Sequence, residues 1–213
     1  MKKELIIVGA DDAIELAELC LVPQGYILRG YLRPEKSEHG LSAQFEYLGT
    51  DDQITEGAFS GTFFLLALSS SKRCMDLHEM VMSSGNDVIS LIHPSSTIYP
   101  SAEILEGSLV LPHAIVSSMA RVGKCVNIGY SALVGHDVSV GDYAFISPGV
   151  KLLGGSIVGK GADIGTNSVI FPNIEVGANC TVAANSVVTH DVSAGSTVIP
   201  QHGKNRILKG PGV

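Results

Sequence analysis

From Ile98 onward the chain obeys a six-residue rule. Ile98, Ile104, Val110, Val116, Val122, Ile128, Val134, Val140, Ile146, Leu152, Val158, Ile164, Ile170, Val176, Val182 and Val188 are all aliphatic, with no insertion between them. The residue two places before each next member is mostly small, as at Ala102, Ser108, Ala114, Ala120, Ala132, Ala144, Ser156, Ala162, Ser168, Cys180 and Ser186. Glycine directly follows the aliphatic at 123, 129, 135, 141, 159, 165 and 177. Neither the 3.6-residue period of a helix nor the two-residue alternation of a strand sustains this pattern.

A period of six points to a parallel β-helix. Three hexads close one triangular coil of eighteen residues, with the aliphatic filling each face from inside and the small residue near the corner. Coils then stack at about 4.8 Å, each backbone pairing with the coils above and below. Each buried aliphatic contributes roughly 1.5–3 kcal/mol, so folding alone explains the pattern. The glycines are expected to relax turns that need unusual dihedrals. The rhythm breaks after Val188, at Ala194, and STVIPQHGKNRILKGPGV reads as a last strand and a basic tail that caps the open coil.

Residues 1–93 read differently. ELIIVGA is a first strand ending in Gly9, and DDAIELAELCL is a helix capped by Asp11 or Asp12. GYILRGYL is a second strand, FEYLGT a short third, DDQITEGAFSG a short helix and TFFLLAL a buried strand. SSKRCMDLHEMVMSSG is a helix closed by Gly85, and DVISLIHP a last strand stopped by Pro94. Alternating strands and helices imply a small parallel, Rossmann-like sheet with helices on its faces. The expected division is an α/β domain over 1–93 and a β-helix domain over 94–213.

Charge and cysteine usage narrow the function. Residues 1–93 hold 14 acidic and 7 basic residues, whereas 94–213 hold 7 of each, so the net charge of −7 belongs to the first part. No basic patch offers itself to nucleic acid. No apolar run approaches a membrane span, and the short N-terminal run ending in Asp11–Asp12 is not a secretory signal. A cytoplasmic protein is expected. Cys20, Cys74, Cys125 and Cys180 lie far apart with no C-x-x-C spacing, as free thiols of a reducing compartment do.

The scaffold accounts for the valines and glycines but does not require His136. By its phase His136 sits near a corner and faces outward, with Ser118 one coil below and Gly154 one coil above. A glycine overhead leaves a notch. Pro148, Thr166 and Ala184 form a second low-bulk column, suited to a long thin ligand along the helix axis. The plain alternative is an exposed histidine at a turn, as at His113, His190 and His202. Asp137 favours function, because a carboxylate orients an imidazole and stabilises its charged form.

The stretches IIVGA, GYILRGYL, YLGTDDQI, SSKRCMDLHEM, IHPSSTIYPSAEI, VGHDVSVGDYAFISPG and IGTNSVIFPNIEVG, in this order and spacing, resemble the bacterial sugar acyltransferases related to sialic-acid O-acetyltransferases and UDP-amino-sugar N-acetyltransferases. The resemblance implies a left-handed β-helix, against the usual right-handed crossover. It implies a cytoplasmic homotrimer, of the kind used in polysaccharide biosynthesis, with acetyl-CoA between neighbouring β-helices and a small-molecule sugar acceptor. The catalytic base falls on His136 and its acidic neighbour on Asp137. Cofactor contacts fall on Gly154, Thr166 and Ala184, and on Phe145 where the family often has a second histidine. A family asparagine is replaced by Gly129. The glycine-rich turn that holds the nucleotide falls on Gly9, Ala10 and Asp11, but here reads GADDAI, with acids that repel phosphate. The second strand, which in the family ends in acids, ends here in YLRPEK. No metal is expected: similar coils in zinc carbonic anhydrases pair two histidines five residues apart, and His113, His136 and His190 offer no such pair.

The implied function is direct acetyl transfer from acetyl-CoA to an amino or hydroxyl group of a nucleotide-linked sugar. A trimeric binding or scaffold module that has lost its acceptor chemistry is the competing expectation.

Overall fold

The structure, a computed structural model, describes residues 3–9, 12–36 and 44–200. Its first part is a four-stranded parallel sheet. β1 (Lys3–Gly9), β2 (Tyr26–Leu32), β3 (Phe63–Ala67) and β4 (Asp87–Val88) lie in the order β2-β1-β3-β4. Helices α1 (Asp12–Cys20) and α2 (Ser71–Ser83) supply the crossovers. Alternate residues of β1 face opposite ways, as the two-residue strand period requires. Leu5 and Ile7 pack with Ile14, Ala17 and Leu21 on the α1 side. Ile6 and Val8 pack with Cys74, Leu77 and Val81 on the α2 side. Ser70 caps α2 by accepting from the Arg73 amide at 3.4 Å, and Gly85, at φ 76°, turns the chain away from its end.

Three expectations shift in detail. The FEYLGT segment makes only a single bridge, Tyr47 to Tyr31 of β2. DDQITEGAFSG contains one short 3-10 turn, Asp51–Ile54, in place of a helix. DVISLIHP is divided: β4 closes the α/β sheet, whereas β5 (Leu91–Ile92) already belongs to the β-helix and pairs with Leu109–Val110. The repeat thus starts one hexad before Ile98.

The remaining strands are dipeptides that stack into three parallel sheets of five, seven and six strands, the faces of a left-handed prism. Register is a constant eighteen residues, as in Val122↔Val140 and Val134↔Leu152. The hexad aliphatics from Val110 to Val188 are buried, and Ile98 and Ile104 partly so. After Val188 the rhythm loses two residues and resumes at Val192 and Val198, which pack on the same core. The pairs Val182↔Val198 and Val176↔Val192 show the shorter step. The basic tail, 201–213, lies outside the described residues.

The glycines do a different job from the expected one. Those after each aliphatic are not in the left-handed region. A Cβ on Gly159 would stand 2.4 Å from the Ala178 amide nitrogen, and one on Gly135 would stand 2.7 Å from the Leu152 carbonyl oxygen. They let the next coil approach. The left-handed residue of each corner comes two places later, and most are not glycine: Asp137, Tyr143, Asn167 and Asn173 have φ of 58–60°. Asparagine and aspartate tolerate that region best; Tyr143 is an outlier.

The α/β part is not a loose appendage. Leu109 and Leu111 of the β-helix join the α1-side core, and Cys125 and Tyr143 join the α2-side core.

Candidate active site

His136 and Asp137 form the corner between strands Leu133–Val134 and Ser139–Val140. The corner is anchored below by the Asp137 amide donating to the Ser118 carbonyl at 3.0 Å. Above, the Gly155 amide donates to the His136 carbonyl at 2.9 Å. Asp137 holds φ 59°, which turns its carboxylate back toward the imidazole. His136 Nδ1 lies 2.8 Å from Asp137 Oδ2, with both side chains well exposed. With Nδ1–H donating to the carboxylate, Nε2 is left as the proton-accepting nitrogen.

Gly154 stands one coil above, and the space it leaves holds the ring. A Cβ there would fall 2.4 Å from both Cε1 and Nε2 of His136. The expected open notch is therefore filled by the imidazole, and Gly154 acts as its seat.

The second column is real and lies at another corner. The Asn167 amide donates to the Pro148 carbonyl at 3.0 Å, and the Asn185 amide donates to the Thr166 carbonyl at 2.8 Å. Pro148, Thr166 and Ala184 thus stack coil on coil, all exposed. Within one chain, the corner that carries them is separated from the His136 corner by a full face. Phe145 lies on the seven-stranded face, paired with Asn127 and Asp163. One chain therefore brings together His136, Asp137 and Gly154, but not Thr166, Ala184 or Phe145 with them. Gly9 ends β1 at φ 124°; Ala10 and Asp11 lie outside the described residues.

Two groups of residues escaped the sequence reading. Tyr130 precedes Pro148 by one coil and lines, with Phe145, Pro148 and Leu16, a mostly apolar pocket between α1 and the β-helix; the eighteen-residue spacing was the available signal. At the α2 seam, His78 Nδ1 lies 2.8 Å from the Tyr143 hydroxyl, and Lys160 Nζ sits 5.4 Å from the Tyr143 ring centroid. Burial holds His78 below the usual histidine range, and pushes Tyr143 up to about 12. The four cysteines are free and buried. A hydrogen bond to Cys74, with burial, holds the Cys125 thiol above its ordinary value. Among the described residues, no group of three or more His, Cys, Asp or Glu is placed to hold a metal ion, and no helix is long and apolar enough to cross a membrane.

Residues 156–190 match the family model described as the hexapeptide repeat of succinyl-transferase. No curated protein sequence matches the chain. Solved structures do. The acetyltransferase domain of PglB from Neisseria gonorrhoeae FA1090 is 27% identical with a TM-score of 0.83, covering 92% of this chain and 95% of that one. The same domain in complex with acetyl coenzyme A is 26% identical, TM-score 0.81, over 92% and 96%. PerB from Caulobacter crescentus, in complex with CoA and GDP-perosamine, shares the fold at 23% identity and TM-score 0.82, over 92% of each chain.

Proposed function

We propose that this chain, a hexapeptide-repeat sugar acyltransferase, moves an acetyl group from acetyl-CoA directly to an amino or hydroxyl group of a nucleotide-linked sugar, with His136 as general base. The observation that carries the reading is the Nδ1–Oδ2 contact of 2.8 Å, made by a ring seated on Gly154. The PglB domain supports the donor, since one of its structures holds acetyl coenzyme A. PerB, bound to GDP-perosamine, supports the acceptor class.

Asp137 fixes the tautomer and stabilises the imidazolium; Nε2 takes the acceptor's proton as its nitrogen or oxygen attacks the thioester carbonyl. The new C–N or C–O bond forms, the C–S bond breaks, and the imidazolium returns its proton to the departing thiolate. No covalent enzyme intermediate is needed, since the partner of His136 is a carboxylate and the thiols are buried. The exposed, low-bulk column of Pro148, Thr166 and Ala184 fits the extended pantetheine of acetyl-CoA. Because that column and His136 stand at different corners, the groove is completed by a neighbouring chain in a closed three-fold assembly. In this reading residues 1–93 hold the acceptor and 94–213 carry out the transfer.

The test is His136→Ala assayed by release of CoA thiol with amino-sugar nucleotides. A general base supplies about 10²–10⁴-fold, so kcat should fall by at least about 10²-fold while acetyl-CoA affinity holds. Full activity in the variant would reduce His136 to a turn residue. No turnover by the parent with any acceptor would leave the scaffold reading.

A further inference from the structure

One carboxylate of the β-helix has no structural partner. Asp163 lies on the seven-stranded face, in the ladder Asn127, Phe145, Asp163, Thr181. Ile164, the residue after it, is fully buried in the core, so Asp163 points outward. It is nonetheless half-buried, and burial lifts its carboxyl above the ordinary value. The other partly buried carboxylates among the described residues are all held: Asp51 by the Arg73 guanidinium, Glu106 by the Lys124 ammonium and Asp142 by the Lys124 amide. The Asp163 carboxylate meets no such group among the described residues. Aspartate is depleted in strands, and a carboxylate withdrawn from water without a partner costs stability. The hexad therefore does not select it. Unpartnered, perturbed groups of this kind gather at binding sites.

Its place on the face points to the ligand. Gly165 and Ala183 form a low-bulk strip between the Asp163–Thr181 ladder and the exposed column of Thr166 and Ala184. An extended arm in that strip passes Phe145 and Pro148 on one coil, Asp163 and Thr166 on the next, and Thr181 and Ala184 on the one above. Copies related by an axis parallel to the β-helix share the same heights. From His136 to Pro148 the chain climbs two-thirds of an eighteen-residue coil, and the His136 ring leans into the space beside Gly154, one full coil up. The base of a neighbouring copy thus stands level with Pro148, and so does the thioester it serves. In acetyl-CoA two methylenes separate the sulfur from the first amide nitrogen of the pantetheine arm, a span close to the coil spacing of about 4.8 Å. That amide falls on the coil of Asp163 and Thr166.

We propose that Asp163 is a donor-binding residue: its carboxylate accepts a hydrogen bond from the pantetheine amide nearest the thioester, and so sets the height of the acetyl group against the base. This rests on the acetyltransferase reading for the identity of the donor. Phe145, one coil below, lies beside the acetyl end, where no hydrogen bond is needed. Thr181, one coil above, offers a hydroxyl to the second amide of the arm. The donor's phosphates lie beyond Ala184, more than a coil from Asp163, so the carboxylate meets the neutral part of the molecule. An ionised acceptor makes the stronger bond to an amide N–H.

The experiment is isothermal titration of the full chain with acetyl-CoA and with the analogue in which that amide nitrogen is replaced by a methylene carbon, repeated on Asp163→Ala and Asp163→Asn. The parent should bind acetyl-CoA about ten- to a hundredfold more tightly than the analogue, the usual contribution of a hydrogen bond to a charged group. Asp163→Ala should bind acetyl-CoA more weakly by a similar factor and no longer tell the two ligands apart, because both changes remove one interaction. Asp163→Asn, whose amide oxygen still accepts, should keep part of the preference. The melting temperature of Asp163→Ala should equal or exceed that of the parent, since an unpartnered carboxylate is removed. A lower melting temperature with unchanged acetyl-CoA affinity would make Asp163 a structural residue and overturn the proposal. A preference for acetyl-CoA over the analogue that survives in Asp163→Ala would overturn it too, and leave the donor reading intact. Tighter binding by Asp163→Ala would mean that the carboxylate repels the donor's phosphates, and would also sink it. A parent that binds no acetyl-CoA would end the donor reading, and this proposal with it.

Discussion

If His136 is the base proposed above, replacing Gly154 by alanine should disable it without disturbing the fold. The backbone at Gly154 is outside the left-handed region, and the atoms an alanine Cβ would meet belong to the His136 ring, at 2.4 Å for Cε1 and Nε2 and 3.1 Å for Cδ2. Ordinary contact begins near 3.5 Å, so the ring must retreat by about 1 Å or rotate about χ1. His136 is exposed, at 71% for its side chain, and so it can move; the β-helix need not. The penalty therefore falls on position. A displacement of about 1 Å can cost on the order of 10²-fold in rate, approaching the loss expected for His136→Ala. Stability should hold or rise slightly, because alanine restricts the unfolded chain by about 0.4–1 kcal/mol. Steady-state thiol release, calorimetric acetyl-CoA binding and a thermal melt separate these effects. Loss of kcat with an unchanged melt fits the seat. Wild-type kcat with weakened acetyl-CoA binding would mean that Gly154 clears a path for the donor, and the seating argument would fail.

Val140→Asp places a charge where a buried valine now packs; an unpaired buried charge costs several kcal/mol, and circular dichroism should show the β-helix lost. The buried His78 predicts acid sensitivity. Its depressed folded pKa means the unfolded chain binds the extra proton first, so stability is present above the unfolded value of about 6.5 and is lost as pH falls toward the folded value. A melt series from about pH 7.5 to 5 should decline in the parent and flatten in His78→Gln. Light scattering should give three times the 22.3 kDa chain mass. Mixing inactive His136→Ala chains with inactive Thr166→Trp chains before assembly should restore about a quarter of the activity, since one interface in four then joins an intact base to an intact column; no recovery would mean that base and donor column do not meet between chains.

The sequence made the β-helix legible because a buried period is a constraint that tolerates no slippage. Every inward aliphatic is repeated by the same geometry, so the register could be read without seeing a single contact. The glycines were misjudged because close approach and unusual dihedrals both select glycine, and spacing alone does not separate them. Here the dihedral work falls two residues later, on residues such as Asp137 and Asn167, whose short polar side chains bond locally. The contact of His78 with Tyr143 was invisible for another reason. These residues are 65 apart in the chain, one on α2 and one at a corner of the β-helix, and only the packing of α2 against the coils brings them together.

His136 shows where periodic reasoning stops and geometry begins. The eighteen-residue step located Gly154 above it, which is as far as spacing can go. Whether that glycine leaves a gap or supports a ring depends on the side-chain torsions of His136, and those follow from Asp137. An aspartate in the left-handed position carries its carboxylate back along the corner to the neighbouring Nδ1, 2.8 Å away. The corner needs a residue that tolerates positive φ, and an imidazole proposed as a base needs an acceptor for its Nδ1–H. Aspartate meets both demands at one position, so this corner can carry a base without adding a residue to the hexad. An asparagine, which the same corner position uses at 167, 173, 179 and 185, would keep the turn but could not carry the negative charge that stabilises an imidazolium. The need for positive φ, which the repeat meets with several residue types, does not by itself explain an aspartate placed beside a histidine at this corner.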